Sequence, residues 1–364
     1  MFACCGGTSI TTTVPKQDNE EYKNRMSCEE NENVKYLIQQ LFGGNDNSVH
    51  DRRTSAMNNT EILNCRNIKD IFTWSFHPCD IDGIDATTFA RIVMCIFEES
   101  NILKYLKVDP LKMHELCVKI GQLYYDALNP YHNIWHALHV FHSMHMILKS
   151  SGEDYKEHPV EIFSAYIAAL CHDIDHCGCT NKYLIDTKHA KAIEYNFISP
   201  QEMHHASVTL RLISKFDVLS GSSVEKRSDL INELVMRFIL ATNIAFHDTF
   251  LSSYNPERIT QRIKLYLKCA DLSHTFSELH NHISWINMLQ DEFFIQGDKE
   301  RFHRLDITPM FDRKKRGILE STQASFFEMV VNPMFRLLYK TCPGMDGSIR
   351  EAIKNNFEHW KSID

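Results

Sequence analysis

The chain has 364 residues, with 39 Lys and Arg against 47 Asp and Glu, a formal charge of −8. Hydrophobic residues make up 43% and charged residues 24%, which suits a soluble globular protein and excludes a collagen, a disulfide miniprotein and a wholly disordered chain. The acidic balance argues against a nucleic-acid partner, and no stretch approaches the roughly 20 apolar residues of a membrane span.

The opening MFACCGGTSI has no basic n-region and no long apolar core, so no secretory signal is expected. The twelve Cys are scattered, with no disulfide framework and no pair of CxxC motifs, which points to reduced thiols and a cytoplasmic protein. Residues 1–67 are rich in Asn, Ser, Thr and Glu and read as a flexible N-terminal segment. Only Val34 to Phe42 (VKYLIQQLF) predicts a short amphipathic helix there. Cys4 and Cys5 are adjacent and could carry two acyl chains, enough to hold a membrane surface. Phe2 stands where N-myristoylation requires Gly, which excludes that modification.

From Ile68 the apolar pattern is dense and its period is helical. Leu106, Met113, Leu116, Ile120, Leu123 and Tyr124 recur at spacings of a helix face. So do Phe163, Tyr166, Ile167 and Leu170, and then Leu230, Leu234, Phe238 and Ile239. Pro110, Pro159 and Pro200 mark helix starts, and Gly152, Gly178, Gly221 and Gly297 are placed between helical segments. Clear alternating strands and internal repeats are absent, so residues 68–364 read as one all-α domain.

The chain holds twenty His, and their placement is not even. His132 and His136 are spaced i, i+4, which puts them on one helix face a turn apart. His172 and His176 repeat that spacing, with Asp173 beside the first, and follow the apolar run Ala165 to Cys171. Asp271 closes a third apolar helical stretch, Leu265 to Ala270. A charged group at the inner end of an apolar helix is costly unless it is paired or bound to metal, so the three clusters are expected to meet around metal. His139, His142 and His145 are read as packing or surface residues, and Cys177 and Cys179 as ordinary thiols, since C-x-C without a second pair is no zinc site.

These blocks resemble the catalytic domain of the class I 3′,5′-cyclic nucleotide phosphodiesterases. The family's YHNxxHA corresponds to Tyr131–Ala137, HDxxHxGxxN to His172–Asn181, and ExHH to Glu202–His205. ATDMxxH appears as Ala241–His247 and CADLSN as Cys269–His274. EFFxQGDxE matches Glu292–Glu300 in full, PMxDR matches Pro309–Arg313, and QxxF matches Gln323–Phe326. The blocks run in family order from about residue 70 to the end.

The resemblance implies a compact multi-helix HD-type fold that hydrolyses cAMP, cGMP or both to 5′-monophosphates. It implies that His136, His172, Asp173 and Asp271 hold a first ion, Zn2+. Asp173 would bridge to a second, Mg2+ or Mn2+, whose waters are held by Glu202, His205 and Thr242, with His176 supporting the site. A hydroxide between the ions is the implied nucleophile, His132 the implied general acid and Glu292 its orienting carboxylate. Gln323 would bond the purine edge between Phe326 and Leu289, with Tyr131, His274 and Asn243 in the substrate pocket. An amide can present donor or acceptor, so adenine and guanine both stay open.

Three positions depart from the family pattern: Asn243 for Asp, His274 for Asn and His139 for Asp. None is an implied metal ligand, so the departures bear on nucleotide preference and not on the reaction. Other HD-type phosphohydrolases share the His and Asp ligands but lack the EFFxQGD and QxxF blocks. A non-catalytic nucleotide-binding protein is disfavoured because every implied ligand and the acid are present.

Overall fold

The computed structural model describes residues 71–363 apart from Asp82 and Arg316. The expected tail, the helix at Val34–Phe42 and the Cys4/Cys5 pair lie outside the described residues. Every regular element among the described residues is helical, as expected. No single helix among them is long and apolar enough to cross a membrane.

The chain opens with α1 (Ala86–Ser100), α2 (Ile102–Leu106) and α3 (Pro110–Asp126). The apolar stripe from Leu106 to Tyr124 therefore spans two helices, split where Pro110 starts the second. Asp85 and Asp109 cap their helices by accepting from Thr88 N (2.7 Å) and Leu111 N (2.8 Å). Next come α4 (Ile134–Ser151) and α5 (Pro159–Cys171), then the short α6 (Asn181–Asp186) and α7 (Ala190–Glu194), then α8 (Pro200–Phe216) and α9 (Ser228–Leu240). The series ends with α10 (His247–Ser253), α11 (Ile259–Asp271), α12 (Leu279–Phe302), α13 (Ile318–Ser321), α14 (Gln323–Phe326), α15 (Asn332–Thr341) and α16 (Gly347–Lys361).

Helix α5 lies at the centre of the core. It is buried from Ile162 to Cys171 and packs against α4, α9 and α11. Each fully buried Leu, Ile or Phe contributes about 1.5–3 kcal/mol. Phe163, Ile167 and Leu170 thereby hold the C-terminal end of α5, and His172 beside it, at a fixed depth. His139, His142 and His145 are buried packing residues of α4: His139 stacks on Trp285, His142 packs at a tilt of 54° against Phe76, and His145 bonds the Tyr166 hydroxyl at 2.8 Å. Leu230 departs from its stripe, since it is 43% exposed at the edge of α9.

Between α14 and α15 the helix widens into a π turn over Phe327–Val331. Pro333 has no N–H for the helix ladder and its ring clashes with the carbonyl four residues back, which a wider turn relieves.

Gly297 was expected between helices but sits inside α12. A Cβ there would lie 1.9 Å from the Phe311 carbonyl oxygen, so the residue is Gly because another segment crosses the helix at that point. Gly297→Ala is expected to destabilise by about 1–3 kcal/mol or more through overpacking. A melting midpoint equal to the wild type's would contradict that reading of the crossing.

Candidate active site

Four side chains from three helix ends converge. His136 is in the first turn of α4, where Asn133 caps the helix by accepting from Trp135 N (3.0 Å) and His136 N (3.2 Å). His172 and Asp173 follow directly on α5, and Asp271 ends α11. His136 Nε2 lies 3.2 Å from His172 Nε2, 3.3 Å from Asp173 Oδ2 and 3.4 Å from Asp271 Oδ1. His172 Nε2 lies 3.1 Å from Asp173 Oδ2 and 3.3 Å from Asp271 Oδ1. All four donor atoms fall within 4.8 Å of one another.

This set fits a borderline divalent cation. His172 Nδ1 donates to the Ala169 carbonyl (3.0 Å), which leaves Nε2 with its lone pair towards the cluster. Two imidazole nitrogens and two carboxylate oxygens then face a common point, and only positive charge reconciles them. Burial works against a charged His172, yet Asp173 and then Asp271 outweigh it and hold its pKa well above the ordinary value. Burial likewise opposes ionised Asp173 and Asp271, but His172 holds both carboxyls below the usual range. The proton drawn in marks where a cation would displace it.

His132 stands beside this cluster with its two nitrogens in different surroundings. Nε2 faces Asp173 Oδ2 at 3.8 Å. Nδ1 lies 2.5 Å from Glu292 Oε1. The other oxygen, Glu292 Oε2, accepts from Tyr131 N and His132 N at 3.0 Å each. Burial opposes charge on His132, but Glu292 and then Asp173 prevail and raise its pKa to about 9. Burial also opposes charge on Glu292, and His132 overrides it to hold the carboxyl at about 2.

His176 stacks on His132 with ring centroids 3.9 Å apart. Its Nδ1 accepts from Gly178 N at 3.1 Å, and burial keeps its pKa well below the ordinary value. His132, His176 and Glu292 form a second group of metal-type donors. The Nδ1 lone pair of His176 and the Nδ1–H of His132 are both already engaged, so this group orients a proton and does not present a cation site.

On the far side of Asp173 the picture is looser. His205 Nδ1 lies 2.6 Å from the Ile174 carbonyl, and its buried Nε2 has no hydrogen-bond partner, 3.8 Å from Asp173 Oδ1. A water or hydrated ion fits such an atom. Glu202 takes both hydrogen bonds of Asn181 Nδ2 (2.8 and 3.1 Å), and burial raises its pKa. The Thr242 hydroxyl donates to the Ile239 carbonyl (2.8 Å), which leaves its oxygen to act as an acceptor. Asn243 has its Nδ2 on Ser199 Oγ (2.9 Å) and its Oδ1 capping Ala245 N (2.9 Å). Asn243 thus caps the turn that follows it, and its amide keeps one N–H and one lone pair beyond these bonds.

Beyond Tyr131 the structure gathers the remaining pocket residues. The Tyr131 ring is 4.8 Å from His136 and 6.2 Å from His274. Trp360 Nε1 donates to His282 Nε2 at 2.8 Å, so the His282 proton sits on Nδ1. That Nδ1 lies 3.1 Å from His274 Nδ1, with the two ring planes 7° apart. His274 Nδ1 is therefore the acceptor, and the His274 proton sits on Nε2. Burial keeps both rings neutral, lowering His282 to about 4 and His274 well below its ordinary value.

His282 also meets Phe327, which lies one helical turn after Gln323. Gln323 Nε2 donates to the Leu319 carbonyl (3.2 Å), and its buried Oε1 has no partner. Gln290 Nε2 bonds both Glu320 oxygens (3.1 and 3.0 Å), tying the turn of α12 that carries Leu289 to the approach to Gln323. Leu289 and Phe326 are both partly buried against the core.

The EFFIQGDKE block acts as a frame. Gln296 Oε1 accepts from Thr180 N (2.7 Å), Glu300 Oε2 accepts from Thr308 N (2.9 Å), and Asp298 pairs with Arg313 and Arg301. Sequence reading missed Asn129, whose Nδ2 donates to the carbonyls of His176 (2.7 Å) and His132 (3.1 Å). It also missed Tyr124, whose hydroxyl accepts from Asp173 N (3.1 Å), and Trp285, which packs beside Tyr131 and His136. Asn129 lies outside every motif block, two residues before Tyr131, so nothing in the sequence marked it.

Comparison with known proteins agrees with the geometry. The family described as 3′5′-cyclic nucleotide phosphodiesterase matches residues 131–352. A mouse protein, high affinity cGMP-specific 3′,5′-cyclic phosphodiesterase 9A, is 24% identical over 91% of this chain and 65% of its own length. The cGMP-specific 3′,5′-cGMP phosphodiesterase 3 of Dictyostelium discoideum is 30% identical over 73% of this chain and 59% of its own length. A 3′,5′-cyclic-AMP phosphodiesterase of Drosophila melanogaster, isoform F, is 27% identical over 75% of this chain and 44% of its own. The chain thus spans less than two thirds of these relatives. The crystal structure of the phosphodiesterase domain of the RhoPDE fusion protein from the choanoflagellate Salpingoeca rosetta superposes with a TM-score of 0.71, at 27% identity, over 80% of this chain and 95% of that one. With the four-donor cluster, the His132–Glu292 pair and the family match spanning them all, the chain belongs to the 3′,5′-cyclic nucleotide phosphodiesterase family.

Proposed function

We propose that this chain hydrolyses 3′,5′-cyclic nucleotides to 5′-monophosphates by opening the bond between phosphorus and O3′. The observation that carries the reading is His132, whose Nδ1 is on Glu292 and whose Nε2 is aimed at Asp173, an edge of the four-donor cluster. His136, His172, Asp173 and Asp271 would hold Zn2+, and Asp173 would share a second ion, Mg2+ or Mn2+, with water held by His205 and Glu202. Such ions, when bound, neutralise phosphate charge and acidify water.

The residues themselves do the rest. His132 gives its Nε2 proton to the departing O3′, which otherwise leaves as a costly alkoxide. Glu292 fixes the ring by bonding Nδ1 and steadies the charged form before transfer. His176 lies against the acid and stays neutral because burial opposes its charge, and Gly178 N fixes the ring through Nδ1. Tyr131 covers the His136 ring and separates the phosphate side from the base side.

The purine lies between Phe326 and Leu289, with Gln323 Oε1 as a buried acceptor and His274 Nε2–H as a donor. Guanine offers one ring donor, N1–H, its 2-amino group, and the acceptors O6 and N7, whereas adenine presents an amino donor where guanine has O6. A His274 donor that meets the purine at its 6-position favours cGMP, whereas N7 accepts from it in either base. His274→Asn is expected to lower the cGMP-to-cAMP ratio of kcat/KM by about tenfold, since one misplaced buried hydrogen bond is worth about 1–3 kcal/mol. Kinetics on both nucleotides check this, and an unchanged ratio removes His274 from base reading.

Product analysis tests the reaction. Hydrolysis in 18O-water should give only 5′-monophosphates, each with one labelled phosphate oxygen. Formation of 3′-monophosphates, or label in the ribose, would overturn the assignment of O3′ as leaving group.

A further inference from the structure

Cys177 and Cys179 lie on the loop that leaves His176. Their thiols are close enough across Gly178 to perturb one another. Gln201 Nε2 donates to Cys177 Sγ at 3.3 Å, and Lys299 Nζ donates to Cys179 Sγ at 3.2 Å. Cys177 is partly accessible while Cys179 is buried, so one thiol can meet a reagent and the other waits behind it. The donors on both sulfurs stabilise the anionic form of the pair, which is the nucleophilic one.

We propose that Cys177 and Cys179 form a peroxide-reactive dithiol whose oxidation to an intraloop disulfide slows the active site beside it. Cys177 is the attacking sulfur. It takes one oxygen of a hydroperoxide, the O–O bond breaks, and the released hydroxide leaves as water with the thiol proton. Cys177 is then a sulfenic acid, oxidised by two electrons. Cys179 Sγ attacks Cys177 Sγ, the S–S bond forms, the S–O bond breaks, and the second hydroxide takes the Cys179 proton. Two thiols and one hydrogen peroxide thus give one disulfide and two waters.

Selectivity follows from surroundings. Cys179, against burial and with Lys191 and Lys299 helping, lowers the Cys177 pKa. Burial pushes Cys79, Cys117, Cys171, Cys269 and Cys342 up instead. Only Cys177 among these combines partial exposure with a stabilised thiolate.

The effect on the site comes through the loop. Gly178 N bonds His176 Nδ1, and Gly178 has φ +64° with Asn129 Oδ1 only 2.7 Å from where a Cβ would sit. Thr180 N is fixed on Gln296 at 2.7 Å. A loop held at both ends cannot bring two free thiols to a covalent bond of about 2.05 Å without moving Gly178. His176 moves with it, and His176 stacks on His132. The loss of rate rests on the hydrolytic reading above, whereas the disulfide does not.

The test treats the full chain with hydrogen peroxide, quenches with catalase, alkylates and digests with trypsin. The peptide spanning residues 157–182 holds Cys171, Cys177 and Cys179. It is expected to lose two hydrogens and to take alkyl label on Cys171 alone, with hydrolysis falling about tenfold and returning with dithiothreitol. In Cys179→Ser, dimedone should trap a sulfenic acid at Cys177, and Cys177→Ser should keep its activity under the same peroxide. A peptide that keeps all three thiols free, or dimedone on another cysteine, would overturn the dithiol. A disulfide that forms without loss of rate would overturn its control of the site.

Discussion

His132→Ala is expected to lower kcat for cyclic-nucleotide hydrolysis by about 10²–10⁴-fold while bound metal is retained. The ring is not one of the four converging donors, and its Nε2 is 3.8 Å from the nearest of them, Asp173 Oδ2. Removing it takes away the proton for O3′ and leaves the cluster intact. Burial lowers the His132 pKa, and Glu292 together with Asp173 more than restores it, so the acid stays protonated until pH rises through about 9. Activity that depends on the protonated ring is thus present at neutral pH and lost on the alkaline side. In Glu292→Gln the main raising charge is gone and burial remains. The alkaline limb of kcat/KM against pH should move down by about one unit or more. Metal analysis, kcat and the pH profile together separate the two residues. A wild-type rate in His132→Ala, or an unmoved limb in Glu292→Gln, would remove the acid from the mechanism.

Asp271→Ala should lose the first ion and, with it, about 10³-fold in activity, since a catalytic cation supplies several kcal/mol and each 1.36 kcal/mol is tenfold. Among the described residues, Asp271 Oδ1 is one of two carboxylate oxygens facing the His136–His172 pair, with Asp173 Oδ2. Asp173→Ala should release both ions, because its Oδ2 faces that pair while its Oδ1 faces His205. Metal content after dialysis, read beside circular dichroism, distinguishes ligand loss from unfolding. Full metal content in Asp271→Ala would contradict the donor set.

The metal-type cluster was legible in the sequence because its signals are local. The apolar runs that end at His172–Asp173 and at Asp271 report two helix ends, whereas the i, i+4 His pairs do not share helix faces, because His132 precedes the Asn133 cap of α4 and His172 and His176 follow the end of α5. What stayed hidden depends on long-range pairing. Glu292 bonds Tyr131 across 161 residues and Trp360 bonds His282 across 78, and no spacing rule predicts either. Asn129 looks like any turn residue until two carbonyls are found on its amide. Gly297 misled because Gly normally interrupts a helix, while here the missing Cβ admits the Phe311 carbonyl. Leu230 shows the same limit of pattern reading, since periodicity marks a stripe but not its exposed margin. Asn243 stood in a pocket motif, and its amide also makes a cap and bonds a neighbouring serine.

The most direct test of the account is metal add-back. The full chain is stripped with a chelator, dialysed, and titrated with Zn2+ and then Mg2+ or Mn2+ while cAMP and cGMP are followed. The account predicts no turnover when stripped and recovery as the ions bind, with 5′-monophosphate as the product. Turnover undiminished by stripping, or no turnover of either nucleotide with the ions bound, would contradict it.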